Sequence, residues 1–226
     1  LTYLDRCEID HKLAVNINVA GVENVAKCCQ DRLLVYYSTD AIFDGRAGNY
    51  HEEDSPCPVN FYGETKLRGE NIVKTLPEHL ILRTCMLYTH LNEGPKFINW
   101  LIHNLSRGNA VNVATDLTTT PTLVDDLCKA TLKLLQKGCR GIYHVAGASS
   151  LSCYQMAHHI IPRWGFDPSF VHPVTRAELP WKAPRAENGT LNTDKLKLEG
   201  IRMSTFEEGI KKVREAAQLH HPVRRE

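Results

Sequence analysis

Three short, uninterrupted apolar runs constrain this chain most. "RLLVYYS" (Arg32 to Ser38), "LILRT" (Leu80 to Thr84) and "GIYHVAG" (Gly141 to Gly147) each have strand length and almost no polar alternation. Such runs suit parallel strands, whose two faces are both covered. Helical stretches separate them. Leu13, Ile17, Val22, Val25 and Ala26 recur at helical spacing between Asp10 and Gln30, and further helices are predicted over Tyr62–Lys74, Phe97–Leu105, Leu123–Gln136 and Ser152–Trp164. "AVNVA" (Ala110 to Ala114) reads as one more strand. Strands alternating with helices predict an α/β protein with a doubly wound parallel sheet and right-handed crossovers. Ligands of such folds bind at the carboxyl ends of the strands. The stretch "FDPSFVHPVTRAELPWKAPRAENG" is proline-rich and predicted irregular, as a lobe wrapping a ligand would be. Ser204 with Glu207 forms the sequence pattern of a capping box, opening a last helix through about Ala217.

Composition excludes several classes. With 27 basic and 26 acidic residues the formal net charge is +1, so no global field favours nucleic acid or an anionic membrane. No apolar run approaches the roughly 20 residues of a spanning helix. The 8 cysteines include no C-x-x-C pair, and reduced thiols in a cytoplasmic protein are expected. The histidine pairs His158/His159 and His220/His221 point about 100° apart on a helix and suit one ion poorly, so no metal site is assigned.

Chemistry concentrates in "YYSTDAIFDGRAGNYHEEDSPCPVNFYGETKLRGE", residues 36–70. Ser38, Thr39 and Asp40 end a predicted buried strand, where the fold puts its ligand. Tyr62 and Lys66 share one helical face. An ammonium beside a phenol stabilises the phenolate, lowering its pKa from about 10 toward the working range. Such a tyrosine can give a proton to a carbonyl oxygen or take one from an alcohol. A hydroxyl from Thr39 or Ser38 could orient the same oxygen. This equips a site for carbonyl/alcohol interconversion with hydride from a nicotinamide. A lone Y-x-x-x-K pair is weak, and a lone Ser-Thr-Asp is more often a turn or cap; their order along one strand–loop–helix unit is the more specific signal.

Together these segments resemble the extended short-chain dehydrogenase/reductase superfamily, and within it the dTDP-4-dehydrorhamnose reductase family. "NINVAGVENVA", "YYSTDAIFDG", "PVNFYGETKLRGE", "LILRT", "TPTLVDDLCKA" and "GIYHVAG" carry the resemblance, in the family's order, over about the first 150 residues. The resemblance implies a Rossmann-like fold and NAD(P)-dependent reduction of a nucleotide-linked 4-keto-6-deoxysugar in the cytoplasm. It implies Tyr62 as proton donor, Lys66 as pKa modulator and ribose-holding residue, and Thr39 as third catalytic member. Ser38, Tyr62 and Lys66 are the expected cofactor contacts, for NADP or NAD. Asp40, Asp116, Thr120 and Arg185 are the expected substrate contacts. The expected partner is the nucleotide-sugar substrate, with no nucleic acid or membrane, and a homodimer is the one assembly considered. Residues 1–90 and 110–148 are expected to form the dinucleotide-binding unit, and 91–109 and 149–226 a substrate-binding lobe.

The chain also departs from the family. None of its 14 glycines forms the G-x-x-G-x-x-G turn that holds a cofactor pyrophosphate. The missing part is on the order of 60 residues, at ~30 per βαβ unit, so an N-terminally incomplete sequence or a fragment is expected. An Arg-Pro pair usual in the family reads Arg185-Ala186 here, and "ATDLTTTPT" replaces a glutamine- and glycine-containing stretch. Two alternatives remain open: a non-catalytic regulatory subunit resembling that of methionine adenosyltransferase, and a sugar-nucleotide epimerase or dehydratase.

Overall fold

The computed structural model describes residues 1–90 and 97–220. Its elements run α1 (Leu4–Ile9), α2 (His11–Val15), a π-helical turn (Asn16–Ala20), α3 (Gly21–Cys28), β1 (Leu34–Thr39), α4 (Phe61–Val73), β2 (His79–Thr84), β3 (Leu87–Tyr88) and α5 (Phe97–Leu105). There follow β4 (Val111–Ala114), β5 (Thr118–Thr119), β6 (Thr122–Leu123), α6 (Val124–Gln136), β7 (Gly141–His144), β8 (Leu151–Ser152), α7 (Cys153–Trp164), β9 (Val171–Val174), α8 (Asp194–Leu198) and α9 (Phe206–His220).

The three apolar runs form one parallel sheet in the order β1-β2-β7, with Thr39 beside Thr84 and Arg83 beside His144. Alternation along β2 sends neighbouring side chains to opposite faces. Ile81 packs with Tyr36 on the face covered by Val73 of α4 and Val22 of α3. Leu80 and Leu82 meet Leu127, Ala130 and Leu134 of α6 on the other face, joined by Leu196, Ile201 and Met203. Helices therefore cover both faces, as continuous apolar strands require.

A second core lies beside this sheet. Leu101 and Leu105 of α5, Val111 and Val113 of β4, Met156 and Ile160 of α7, and Phe206 and Ile210 of α9 form one buried cluster. Three expectations change here. The strand at 110–114 pairs with β9 in a separate two-stranded sheet, so it packs with the elements expected in the lobe. The stretch read as irregular contains β9, which carries Pro173 and exposes His172 and Pro173, so its pattern hides a strand. The last helix is capped one residue later than read. Thr205 Oγ1 accepts from the Glu208 backbone N–H and Glu208 Oε2 accepts from that of Thr205, because Glu207 is drawn to Arg163 and the Ser204 hydroxyl accepts from Lys212 Nζ. The helix expected over 10–30 forms, interrupted by the π-helical turn. There the buried Asn18 donates from Nδ2 to the Leu1 carbonyl and to Thr65 Oγ1 on α4.

Candidate active site

The site is assembled by the approach of α4 to the end of β1. After Thr39 the chain makes a short 3₁₀ turn over Asp40–Ile42. The start of α4 lies directly on it: a Cβ placed on Gly63 would stand 2.1 Å from the Ala41 carbonyl oxygen. Only a residue without a side chain allows that contact, which brings Tyr62 to Thr39. The helix start is fixed from both sides. Asn60 Oδ1 accepts from the Gly63 N–H at 2.9 Å, its Nδ2 donates to the Pro184 carbonyl at 3.0 Å, and Glu8 Oε2 accepts from the Phe61 N–H at 3.0 Å. These bonds satisfy the helix's first free donors and tie α4 to α1 and to the C-terminal segment.

Thr39, Asp40, Tyr62 and Lys66 line one cavity of about 710 Å³, together with Ser38 and Arg185. The Tyr62 phenol lies close enough to the Thr39 hydroxyl for that hydroxyl to lower its pKa. Thr39 Oγ1 donates to Asp40 Oδ1 at 3.0 Å and accepts from the Ala41 N–H at 3.2 Å. Lys66 Nζ donates to the Tyr37 carbonyl at 2.6 Å and sits 4.0 Å from the centre of the Tyr36 ring.

The electrostatics differ from the sequence argument in one respect. Lys66 was expected to draw the Tyr62 phenol down. Instead the phenol is pushed above its ordinary range, first by burial; the nearby Thr39 hydroxyl opposes the rise and the Asp40 charge adds to it. Lys66 faces the Tyr37 carbonyl and does not figure in that balance. Burial pulls Lys66 itself down to about 8, with Glu70 opposing. Asp40 is pushed up to about 7 by burial, against the Thr39 hydrogen bond.

Two expected substrate contacts lie elsewhere. Asp116 accepts from the Arg176 backbone N–H at 2.7 Å and pairs with its guanidinium at 3.2 Å, away from the cavity wall. Thr120 is buried, its hydroxyl 2.9 Å from Cys85 Sγ and accepting from the Leu191 N–H. Its neighbours Thr118 and Thr119 reach the wall instead. Arg185 lines the cavity with its guanidinium held 2.9 Å from Asp5 Oδ1 and 5.0 Å from the Trp181 ring.

Sequence reasoning missed other wall residues, among them Tyr3, Asn60, Thr84, Met86 and Gly189. The Thr84 hydroxyl is buried on that wall with no hydrogen-bond partner, a polar atom available to a ligand. Met86 has φ 36°, in the left-handed region that a non-glycine residue seldom adopts. The close approach of Gly189 was not legible either: a Cβ there would meet Asp40 Oδ2 at 2.8 Å.

A family profile described as the RmlD substrate binding domain matches residues 1–219. The chain belongs to that family. It is 32% identical to dTDP-4-dehydrorhamnose reductase of Mycobacterium tuberculosis over 210 residues, 88% of this chain and 68% of the relative. A crystal structure of dTDP-4-dehydrorhamnose reductase from Bacillus anthracis in complex with NADP superposes with TM-score 0.89 at 32% identity, over 94% of this chain and 76% of that one. Methionine adenosyltransferase 2 subunit beta of Danio rerio is 28% identical over 205 residues, 87% of this chain and 64% of that protein. The extended short-chain dehydrogenase/reductase assignment and the Rossmann-like fold expected from sequence are thus borne out. Among the described residues no helix is long and apolar enough to cross a membrane.

Proposed function

We propose that this chain reduces the ketone of a nucleotide-linked 4-keto-6-deoxysugar, using NADP or NAD, with Thr39, Tyr62 and Lys66 as its catalytic group. The observation that carries the reading is the convergence of these three side chains on one cavity at the carboxyl end of β1. A nicotinamide held there would supply the hydride for the carbonyl carbon. The residues present fit such a group: the buried, unpartnered Thr84 hydroxyl and the spare donors of Lys66 are available for its polar atoms, with Ser38 beside them on the wall.

The proton side of the reaction follows from the chain's own groups. A phenol held above its ordinary range stays protonated at neutral pH, so Tyr62 starts as an acid. As negative charge develops on the substrate oxygen, Tyr62 gives up its proton. The Thr39 hydroxyl, already oriented by the Ala41 N–H, lies beside the phenol and can turn its proton from Asp40 to the same oxygen. To stabilise the phenolate left behind, the Lys66 ammonium has to turn from the Tyr37 carbonyl toward Tyr62, because in the resting site it does not lower the phenol. Arg185 would supply charge to the sugar-nucleotide side of the cavity, and Asp40 lines its wall beside Thr39. The elements around the second core, α5, β4, α7, β9 and α9, would form the substrate-binding lobe expected over 91–109 and 149–226 and enlarged by β4, and a homodimer is the assembly to look for.

The test is turnover. Protein expressed from its full reading frame should convert a dTDP-linked 4-keto-6-deoxysugar to the 4-hydroxy product with stoichiometric oxidation of NADPH or NADH, read by mass spectrometry. Similarity to a methionine adenosyltransferase subunit supports a second reading as a regulatory subunit. Absence of sugar reduction, with copurification of a methionine adenosyltransferase, would favour it.

A further inference from the structure

Beneath the cavity lies a buried charged cluster that the proposed reaction does not itself use. Arg83, 1% exposed, donates from Nε to Glu70 Oε1 and from Nη2 to Glu70 Oε2, both at 2.9 Å, and Glu70 is fully enclosed. Its Nη1 donates to the Glu52 carbonyl at 3.1 Å and lies 3.3 Å from His144 Nε2. Burial, with Arg83 nearby, pushes His144 down to about 3, so the ring is neutral at physiological pH. Its Nε2 therefore accepts from Arg83 while Nδ1 donates to the Asn192 carbonyl at 3.1 Å. The buried Ser38 hydroxyl makes no well-formed hydrogen bond, yet lies close enough to the Glu70 carboxylate to help hold its pKa low.

A buried ion pair is weak evidence for stability, because apolar side chains of similar volume often serve as well. Its place on α4 gives this one another use. Glu70 lies one turn beyond Lys66 on the same helical face. Lys66 spends one of its three donors on the Tyr37 carbonyl and rests on the Tyr36 ring. We propose that Glu70, locked by Arg83, is a positioning residue for Lys66: its buried carboxylate supplies the counter-charge that holds the ammonium against Tyr37 and Tyr36, with its other donors free for the cavity. Arg83 fixes the carboxylate bidentately, so the charge cannot swing away. Lys74, 3.4 Å from Glu70 Oε2 and partly exposed, weakens that charge from the solvent side.

Burial works against the ammonium, and Glu70 is the group that sustains it. Other titratable groups around Lys66 are Tyr62 on its own helix, and Tyr36 and Asp40 from the β1 side. Titration of Lys66 can be read without substrate; its bearing on catalysis rests on the proposed reductase reading.

Competitive acetylation across pH, quantified at Lys66 by peptide mass spectrometry, measures that titration directly. Glu70→Gln should lower the Lys66 midpoint by about one unit, and the alkaline limb of kcat should move with it. Lys74→Met should raise the midpoint, because it removes a cation that offsets Glu70. An unchanged or raised midpoint in Glu70→Gln would overturn the proposal and leave the pair a purely structural one. If Glu70→Gln fails to fold, Glu70→Gln/Arg83→Met, which leaves neither charge unpaired, must still lower the midpoint, by less than the single variant because loss of the Arg83 cation offsets part of the change; no downward shift is equally fatal. Shifts in the expected directions from a protein that reduces no sugar would refute the reductase reading while leaving the positioning role intact.

Discussion

Asp40 should make this protein less stable as pH rises through neutrality. The residue as a whole is only partly buried, but its carboxylate is turned inward, taking the Thr39 hydroxyl proton at 3.0 Å and standing where a Cβ on Gly189 would meet it at 2.8 Å. Burial raises it from 3.8 to about 7. The folded state then binds a proton that the unfolded chain releases between those values, so stability from this group is full below pH 3.8 and falls through pH 7. Integrated from pH 5 to 8, the loss is about 2.5 kcal/mol, at 1.36 kcal/mol per unit. Asp40→Asn keeps an acceptor for Thr39 and removes the titration. Urea unfolding of both proteins at several pH values isolates the effect, because every other group cancels in the difference. The variant should gain about 2.5 kcal/mol on the wild type between pH 5 and 8. Stability curves that stay parallel would refute the inward placement of the carboxylate.

Two further perturbations test the frame around the site. His144 is held near 3 against an ordinary 6.5; its contribution is present above pH 6.5 and is lost as pH falls. Wild type should therefore lose about 2 kcal/mol more than His144→Gln between pH 7 and 5, read by the same unfolding assay. Gly63→Ala places a methyl 2.1 Å from the Ala41 carbonyl; it should cost about 1–3 kcal/mol of stability by overpacking, and displacement of Tyr62 from Thr39 should lower kcat more than KM.

Much of this architecture was legible in the sequence because the sheet strands are continuous apolar runs and the helices have clear periodicity. The helix at Phe97–Leu105 and the starts of α4 and α6 fall within a residue of the reading. Ser-Thr-Asp and the Tyr62/Lys66 pair were legible as a site because strand end, loop and helix occur in that order. Strand pairing beyond the main sheet was not: β4 is apolar enough for either core, and Pro173 disguises its partner β9. Choosing among Thr118, Thr119 and Thr120 was equally out of reach, since which hydroxyl turns to Cys85 is decided by long-range packing. The Tyr62 pKa argument failed for a similar reason. Spacing puts an ammonium on the right helical face, but the Tyr37 carbonyl and the Tyr36 ring decide where it points.

The central claim is that Tyr62 delivers the proton, and its most direct test is the single-turnover rate of Tyr62→Phe against wild type, with saturating NADPH and the 4-keto sugar nucleotide. The account predicts a loss of about 10²–10⁴-fold in a variant that still folds and still binds both ligands. A rate equal to wild type would show that the proton comes from elsewhere and that the convergence of Thr39, Tyr62 and Lys66 on this cavity does not carry the chemistry.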